Sequence, residues 1–374
     1  MKTLSCATYE GIEAKVVHVE ATLTKGLPSF SVVGMVSASI NESKDRVKSA
    51  LLSNQFSFPP KRITVNLSPS DVKKEGSQFD LCIALLIALN HIQEDLCEWF
   101  VFGELGLDGA VKENIWLYPL ILSLANQGVI KKAIVPFESL DKLANIPNIE
   151  LYGVKTLSEA MTLLKDQNNI NPNISYKKID YPSLSIGDKD YYYDNEYTYD
   201  FLDVKGQEIA KRAALISAAG FHNMLLEGSP GCGKSMIAQR IRYILPPLST
   251  EDILDIAKLD SLESKEPKFN PLRSYRAPHH SSTLAAIFGG GSYKARIGEV
   301  GLAHRGVLFF DELPHFSKNI LEALREPMQD NKIRVSRVNS KVEYPSDFLF
   351  IGAMNPCSCG NLLNTDKECR CHFH

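Results

Sequence analysis

The spacing of apolar residues divides the chain into stretches of different periodicity. In the first, strand and helix signals alternate irregularly. Ala14–Thr24 and Ser29–Gly34 are rich in strand-forming residues, and Ser37–Gln55 places Ile40, Val47, Ala50 and Leu51 on one face of a helix. Arg62–Leu67 reads as a strand, and the nearly unbroken apolar run Phe79–Leu89 as a buried helix. Strands at Val101–Leu107 and Ala133–Val135, with a helix near Leu117–Gln127, complete an α+β domain over 1–165. Asp166–Asp200 is rich in Asn, Asp and Tyr with little periodicity, and is expected to be a surface linker. From Phe201 the order becomes helix, strand, glycine-rich loop, helix, and later strand, helix, strand. That alternation predicts a parallel α/β sheet over 201–356.

The glycine-rich loop carries the chemistry. Gly228, Ser229, Pro230, Gly231, Cys232, Gly233, Lys234 and Ser235 fit G-x-x-x-x-G-K-[ST], with the apolar strand Asn223–Leu226 before them and the amphipathic segment Met236–Ile244 after them. In such a loop backbone N–H groups turn inward to cradle phosphate oxygens. Lys234 would set a positive charge on the β- and γ-phosphates, and the Ser235 hydroxyl would help hold Mg²⁺. Downstream, the apolar strand Val307–Phe310 ends in Asp311 and Glu312, at the edge where an open α/β sheet binds ligands. Asp311 would hold Mg²⁺ and Glu312 would polarise the attacking water. A third strand, Phe348–Ala353, ends in Asn355, whose amide could position that water. Taken alone, an Asp-Glu pair or an Asn before Pro often only begins a turn. Their order after the loop favours the catalytic reading. The set calls for ATP and Mg²⁺.

Bulk composition adds limits. The 374 residues carry 44% hydrophobic and 23% charged residues and a net charge of −3, so no global basic field advertises nucleic acid. Basic residues concentrated in a groove would still suffice. No apolar run is long enough to span a bilayer, and the opening residues lack a signal peptide's apolar core, so the expectation is cytoplasmic with no membrane partner. Of eight cysteines, Cys6, Cys82, Cys97 and Cys232 are scattered and read as small core residues. Cys357, Cys359, Cys369 and Cys371 form two C-x-C pairs in the segment 357–374, a candidate Zn²⁺ site, although C-x-C is tighter than the usual knuckle spacing. His372 or His374 could replace one ligand.

Several stretches carry a family resemblance. The glycine-rich loop, the Asp-Glu strand and the Asn-tipped strand, in that order, resemble AAA+ ATPases. Asp203–Ala210 (DVKGQEIA), Arg276–Thr283 (RAPHHSST), Gly301–Glu312 (GLAHRGVLFFDE), Leu324–Met328 (LREPM) and Ala353–Pro356 (AMNP) resemble the magnesium-chelatase-like branch. With Gly26–Gly34 (GLPSFSVVG) they resemble the ComM/YifB family over nearly the whole chain. The resemblance implies a hexameric ATPase and, for ComM, a branch-migration helicase acting on DNA in natural transformation. It places Gly206 and Gln207 near the adenine, and points Lys294, Arg296, Arg334 and Arg337 towards a ring pore.

The N-terminal domain resembles the Lon-type, ribosomal S5 domain 2-like protease fold through Lys74–Asp80 and Gly103–Gly109. The nucleophile position aligns with Gln78 and the lysine position with Tyr118, neither able to do that chemistry, although Ser77 and Lys112 are close by. A non-proteolytic domain serving assembly or DNA handling is expected. A second reading is a chelatase-like chaperone motor acting on a protein partner, which a Lon-like domain argues against. Relatives continue into a helical lid bearing a second sensor and an arginine that completes the neighbour's site. Nothing up to His374 matches these, so the expectation is a chain that binds ATP and hydrolyses it poorly.

Overall fold

A computed structural model describes residues 2–56, 58–89, 96–166, 171–172, 176–263, 266–290, 296–336, 341–360, 362, 368–369 and 371. It divides into two compact units, one of residues 1–178 with 264–267 and one of 179–263 with 268–374.

The first unit runs β1 (Lys2–Glu10), β2 (Glu13–Thr24), β3 (Ser29–Val33), α1 (Ala38–Ser53), β4 (Arg62–Ser68), α2 (Asp80–Ala88), β5 (Trp99–Val101), β6 (Glu104–Leu105), β7 (Val111–Lys112), α3 (Leu117–Asn126), β8 (Lys132–Pro136), α4 (Leu140–Leu143), β9 (Glu150–Val154) and α5 (Leu157–Lys165). One mixed sheet has the order β3-β4-β2-β1-β5-β8-β9. Its antiparallel centre sets Cys6 opposite Val17 and Val19 opposite Leu67, all four buried. The apolar run 79–89 forms the expected buried helix, with Leu81 to Leu85 fully enclosed. Such a helix can hold a carboxylate only if it is paired. Asp80 is fully buried and accepts two hydrogen bonds from Arg46, at 2.6 and 3.3 Å, and a weaker one from the Leu105 N–H. Burial pushes its carboxyl above the ordinary range, against the pull of those bonds. The Lys74–Asp80 stretch therefore has a structural use: it locks α2 to α1 and β6.

The second unit runs β10 (Ser183–Ile186), β11 (Lys189–Tyr192), α6 (Glu208–Gly220), β12 (Met224–Glu227), α7 (Lys234–Arg240), β13 (Leu248–Ser249), α8 (Thr250–Leu262), β14 (Tyr275–Arg276), α9 (Leu284–Phe288), β15 (Gly289–Gly290), β16 (Arg296–Ile297), α10 (Glu299–Leu302), β17 (Val307–Phe310), α11 (Lys318–Ala323), α12 (Arg325–Asp330), β18 (Lys332–Ser336), β19 (Lys341–Pro345) and β20 (Leu349–Met354). Its central sheet is parallel, in the order β12-β20-β17-β14. The strand buried on both sides reads as a continuous apolar run, as Val307–Phe310 does. Val307, Phe309, Leu349, Ile351 and Ala353 pack with Ala214, Ala218, Ile237 and Ile241 of the flanking helices to form the core. β15–β16 and β18–β19 are antiparallel hairpins set apart from this sheet.

The structure corrects the reading of 166–200 as a linker. Within it, β10 and β11 form a hairpin whose two-residue turn is Gly187-Asp188, and β11 pairs with β13. Tyr192 and Ile179 are buried with Leu248 and Ile253 in a small core of their own. The stretch is structured because Tyr192 supplies a large apolar body to that core, although its neighbours are polar. Residues 167–170 and 173–175 lie outside the described set. Among the described residues, the enclosed Tyr192 hydroxyl has no hydrogen-bond partner. Tyr192→Ala should therefore cost about 3 kcal/mol in chemical denaturation, and Tyr192→Phe should be neutral or stabilising. A linker tyrosine would give no change for either variant.

Candidate nucleotide-binding site

The parallel sheet delivers the site residues to one edge. β12 leads into the loop 228–233, β17 ends at Asp311 and Glu312, and β20, lying between them, leads to Asn355. Gly233 precedes α7 at φ 92°, a left-handed conformation that side-chain-bearing residues rarely hold, and so directs the loop into the helix. Lys234 then turns back across the loop. Its Nζ donates to the Gly228 carbonyl at 2.7 Å, to the Ser229 carbonyl at 3.1 Å and to Asn355 Oδ1 at 3.1 Å. Ser235 Oγ donates to Asp311 Oδ2 at 2.9 Å, a second link between the loop and a strand tip.

These contacts suit a metal–nucleotide ligand. A hydroxyl and a carboxylate oxygen in direct contact are hard donors of the kind Mg²⁺ takes, leaving its other positions to water and phosphate. Lys234 would carry the charge and the loop would supply backbone donors. Ser235 and Asp311 would hold the metal, which neutralises phosphate charge when bound.

Glu312 has φ 51° and stands at the turn after β17. Its carboxylate lies 3.2 Å from His315 Nδ1 and 3.8 Å from His280 Nδ1. These histidines were not singled out from the sequence. His280 lies inside the RAPHHSST stretch, but that string alone does not say which carboxylate it meets. Gln207 Nε2 donates to the Cys232 carbonyl at 3.2 Å, tying the start of α6 to the loop. Gly206 lines an open cavity of about 440 Å³ with Phe201, Leu202, Val204 and Lys205. Arg240 on α7 fixes the same segment, donating to Asp203 Oδ2 and the Asp200 carbonyl at 3.0 Å each.

Comparison with known proteins bears on this arrangement. Residues 200–374 match the family described as magnesium chelatase, subunit ChlI, and residues 19–139 match one described as subunit ChlI of Mg-chelatase. The competence protein ComM of Haemophilus influenzae is 36% identical over 363 residues, covering 96% of this chain and 69% of that protein. YifB of Escherichia coli is 37% identical over 367 residues, with the same coverage. The chain belongs to the ComM/YifB magnesium-chelatase-like family of AAA+ ATPases. The magnesium-chelatase 67 kDa subunit of Heliobacterium mobile is more distant, 25% identical over 41% of this chain and 27% of its own length.

Other residues of this ComM/YifB chain were also named from the sequence. Arg296 is exposed on β16, and Arg334 on β18 is engaged by Glu343 at 3.2 Å and Glu326 at 3.8 Å. Lys294 and Arg337 lie outside the described residues, as do His372 and His374. In the first unit Gln78 is buried and donates its amide to the Ala7 and Glu75 carbonyls at 3.2 and 2.9 Å. Tyr118 is buried near the start of α3. Ser77 donates to Glu104, and Lys112 stands opposite Glu104 in the β6–β7 hairpin. Among the described residues, Ser77 bonds a carboxylate rather than a lysine. Among the described residues no helix is long and apolar enough to cross a membrane.

His304 sets a measurable property of the strand that carries Asp311. It is buried, and its Nδ1 accepts the Asp347 N–H at 3.1 Å. Burial, with Arg305 alongside and Asp252 opposing, lowers its pKa from 6.5 to about 4. The unfolded chain takes up this proton first as pH falls, so the contribution is full above about pH 6.5 and drains away towards about pH 4. Relative to His304→Asn, the wild type should lose about 3 kcal/mol of unfolding free energy on acidification across that window. Parallel loss in both proteins would contradict the assignment.

Proposed function

We propose that this chain is the ATP-binding motor of a DNA-remodelling ring of the ComM type, acting in the cytoplasm on branched or single-stranded DNA. The observation that carries the nucleotide part is the pair of bonds from adjacent loop residues to two strand tips, Lys234 to Asn355 and Ser235 to Asp311. In this reading Lys234 binds the β- and γ-phosphates, with the loop 228–233 around them. Gly206 and Gln207 sit beside the base, against the cavity that Gly206 lines. Glu312 orients and deprotonates the attacking water, and Asn355, released from Lys234 when phosphate arrives, holds that water in line.

Support for DNA as the partner is the 36% identity over 96% of the chain with a competence protein. The two hairpins add basic side chains that sixfold repetition would multiply around a pore. Such a groove tracks a phosphate backbone without net basicity, and its affinity falls with salt. The first unit, Lon-like and without a serine–lysine dyad in this reading, would serve assembly.

A second reading is a chelatase-like motor acting on a protein partner. The Heliobacterium match favours it, as does the chelatase description attached to residues 19–139. Because of that description the first unit does not by itself separate the two readings. Glu312→Gln should keep MgATP affinity within about threefold while cutting turnover at least about 100-fold. With MgATP trapped in this way, the protein should bind a four-way junction more tightly than linear duplex of equal length. Binding to neither DNA in any nucleotide state would reject the DNA reading in favour of a protein partner.

A further inference from the structure

Outside the candidate nucleotide cradle, one group of metal-ligating side chains converges among the described residues. The sulfurs of Cys357, Cys359, Cys369 and Cys371 all lie within 4.8 Å of one another. Cys357–Cys359 measures 3.5 Å, and Cys359–Cys369 and Cys369–Cys357 each measure 3.7 Å. A disulfide would bring a pair to about 2.05 Å. Four sulfurs about 2.3 Å from a tetrahedral Zn²⁺ stand about 3.8 Å apart, and the observed edges approach that figure. The backbone is arranged to match. The Gly360 N–H donates to the Cys357 carbonyl at 3.0 Å, closing a tight turn, and the Cys359 N–H donates to Cys371 Sγ at 3.3 Å. N–H donors to sulfur favour the thiolate form that a metal takes.

The position of this turn gives it a consequence. Cys357 follows Asn355 by two residues, and Asn355 holds Lys234. At the other end Gly360, at φ 74°, lies against the phosphate loop: a Cβ there would be 2.7 Å from both Cγ and Cδ of Pro230. The cysteine turn is thus seated on the loop and continuous with the strand tip.

We propose that the four cysteines hold one structural Zn²⁺, and that the closed turn braces Pro230 and Asn355 so that metal loss loosens the phosphate loop. Zn²⁺ displaces the thiol protons to form four Zn–S bonds, with no change of oxidation state and no open position for catalysis. The metal site stands on the cysteine geometry alone; its relevance to nucleotide rests on the function proposed above.

The test uses the whole chain and two readouts that need no nucleotide. Purified protein should contain about one zinc per chain. After chelator stripping under reducing conditions, added Co²⁺ should give the thiolate charge-transfer and intense d–d bands of a tetrahedral sulfur site, and Cys359→Ser/Cys371→Ser should abolish both. Should that variant not fold, stripping and reloading the wild type decides the matter. Amide hydrogen exchange at 228–233 and 354–360 should rise at least about tenfold in the stripped protein and recover with Zn²⁺. Gly360→Val should keep the metal yet raise exchange at 228–233, because its side chain displaces Pro230. Absence of zinc and of a cobalt spectrum overturns the proposal entire. Bound zinc with unchanged exchange overturns the brace. Failure of the zinc-loaded chain to bind ATP counts only against the nucleotide reading.

Discussion

The second unit depends on where one ammonium group is held. Lys234 reaches from the first turn of α7 to two carbonyls of its own loop and to Asn355 on another strand. Each bond satisfies an oxygen that an empty loop would otherwise leave to water. Together they tie the loop to the tip of β20. A triphosphate offers the same ammonium stronger acceptors, since charged oxygens bind a cation more tightly than neutral carbonyls. In the proposed reading, ligand entry would exchange these partners without rebuilding the backbone and would free the Asn355 amide.

That arrangement requires the strand order found here. β20 lies between β12 and β17, so the asparagine tip stands between the phosphate loop and the Asp311–Glu312 turn. The three tips are fixed by the buried run Val307–Phe310 and by Leu349, Ile351 and Ala353 beneath them. His304 and Asp347 join the approach to β17 to the approach to β20 through one hydrogen bond. Local chemistry at the edge is thus carried by packing in the middle of the sheet.

The candidate site was more legible in the sequence than the fold around it. Gly228–Ser235, Asp311 and Glu312 declare themselves because glycines, a lysine and paired carboxylates at strand ends have few structural uses in that order. Asn355 needed the context of its strand. The hairpin in 183–192 stayed hidden because its strands are only four residues long and lie in a stretch dominated by Asn, Asp and Tyr. The Gly187-Asp188 pair was the available turn signal. The company of Glu312 could not be read at all: His280 lies 32 positions upstream of it, and the β14–β17 pairing helps bring the two stretches together. Likewise the C-x-C spacing raised the metal, whereas the seat of Gly360 on Pro230 is a fact of three dimensions.

The central claim is that Lys234 is the phosphate-binding cation of a MgATP site. Titration calorimetry of MgATP into the wild-type chain and into Lys234→Met tests it most directly, with circular dichroism to verify that both are folded. The account predicts saturable, Mg²⁺-dependent binding by the wild type and at least about a 30-fold loss of affinity in the variant, the consequence of removing a charge-assisted contact. Equal affinity in the two proteins, or no binding by the folded wild type, would contradict it.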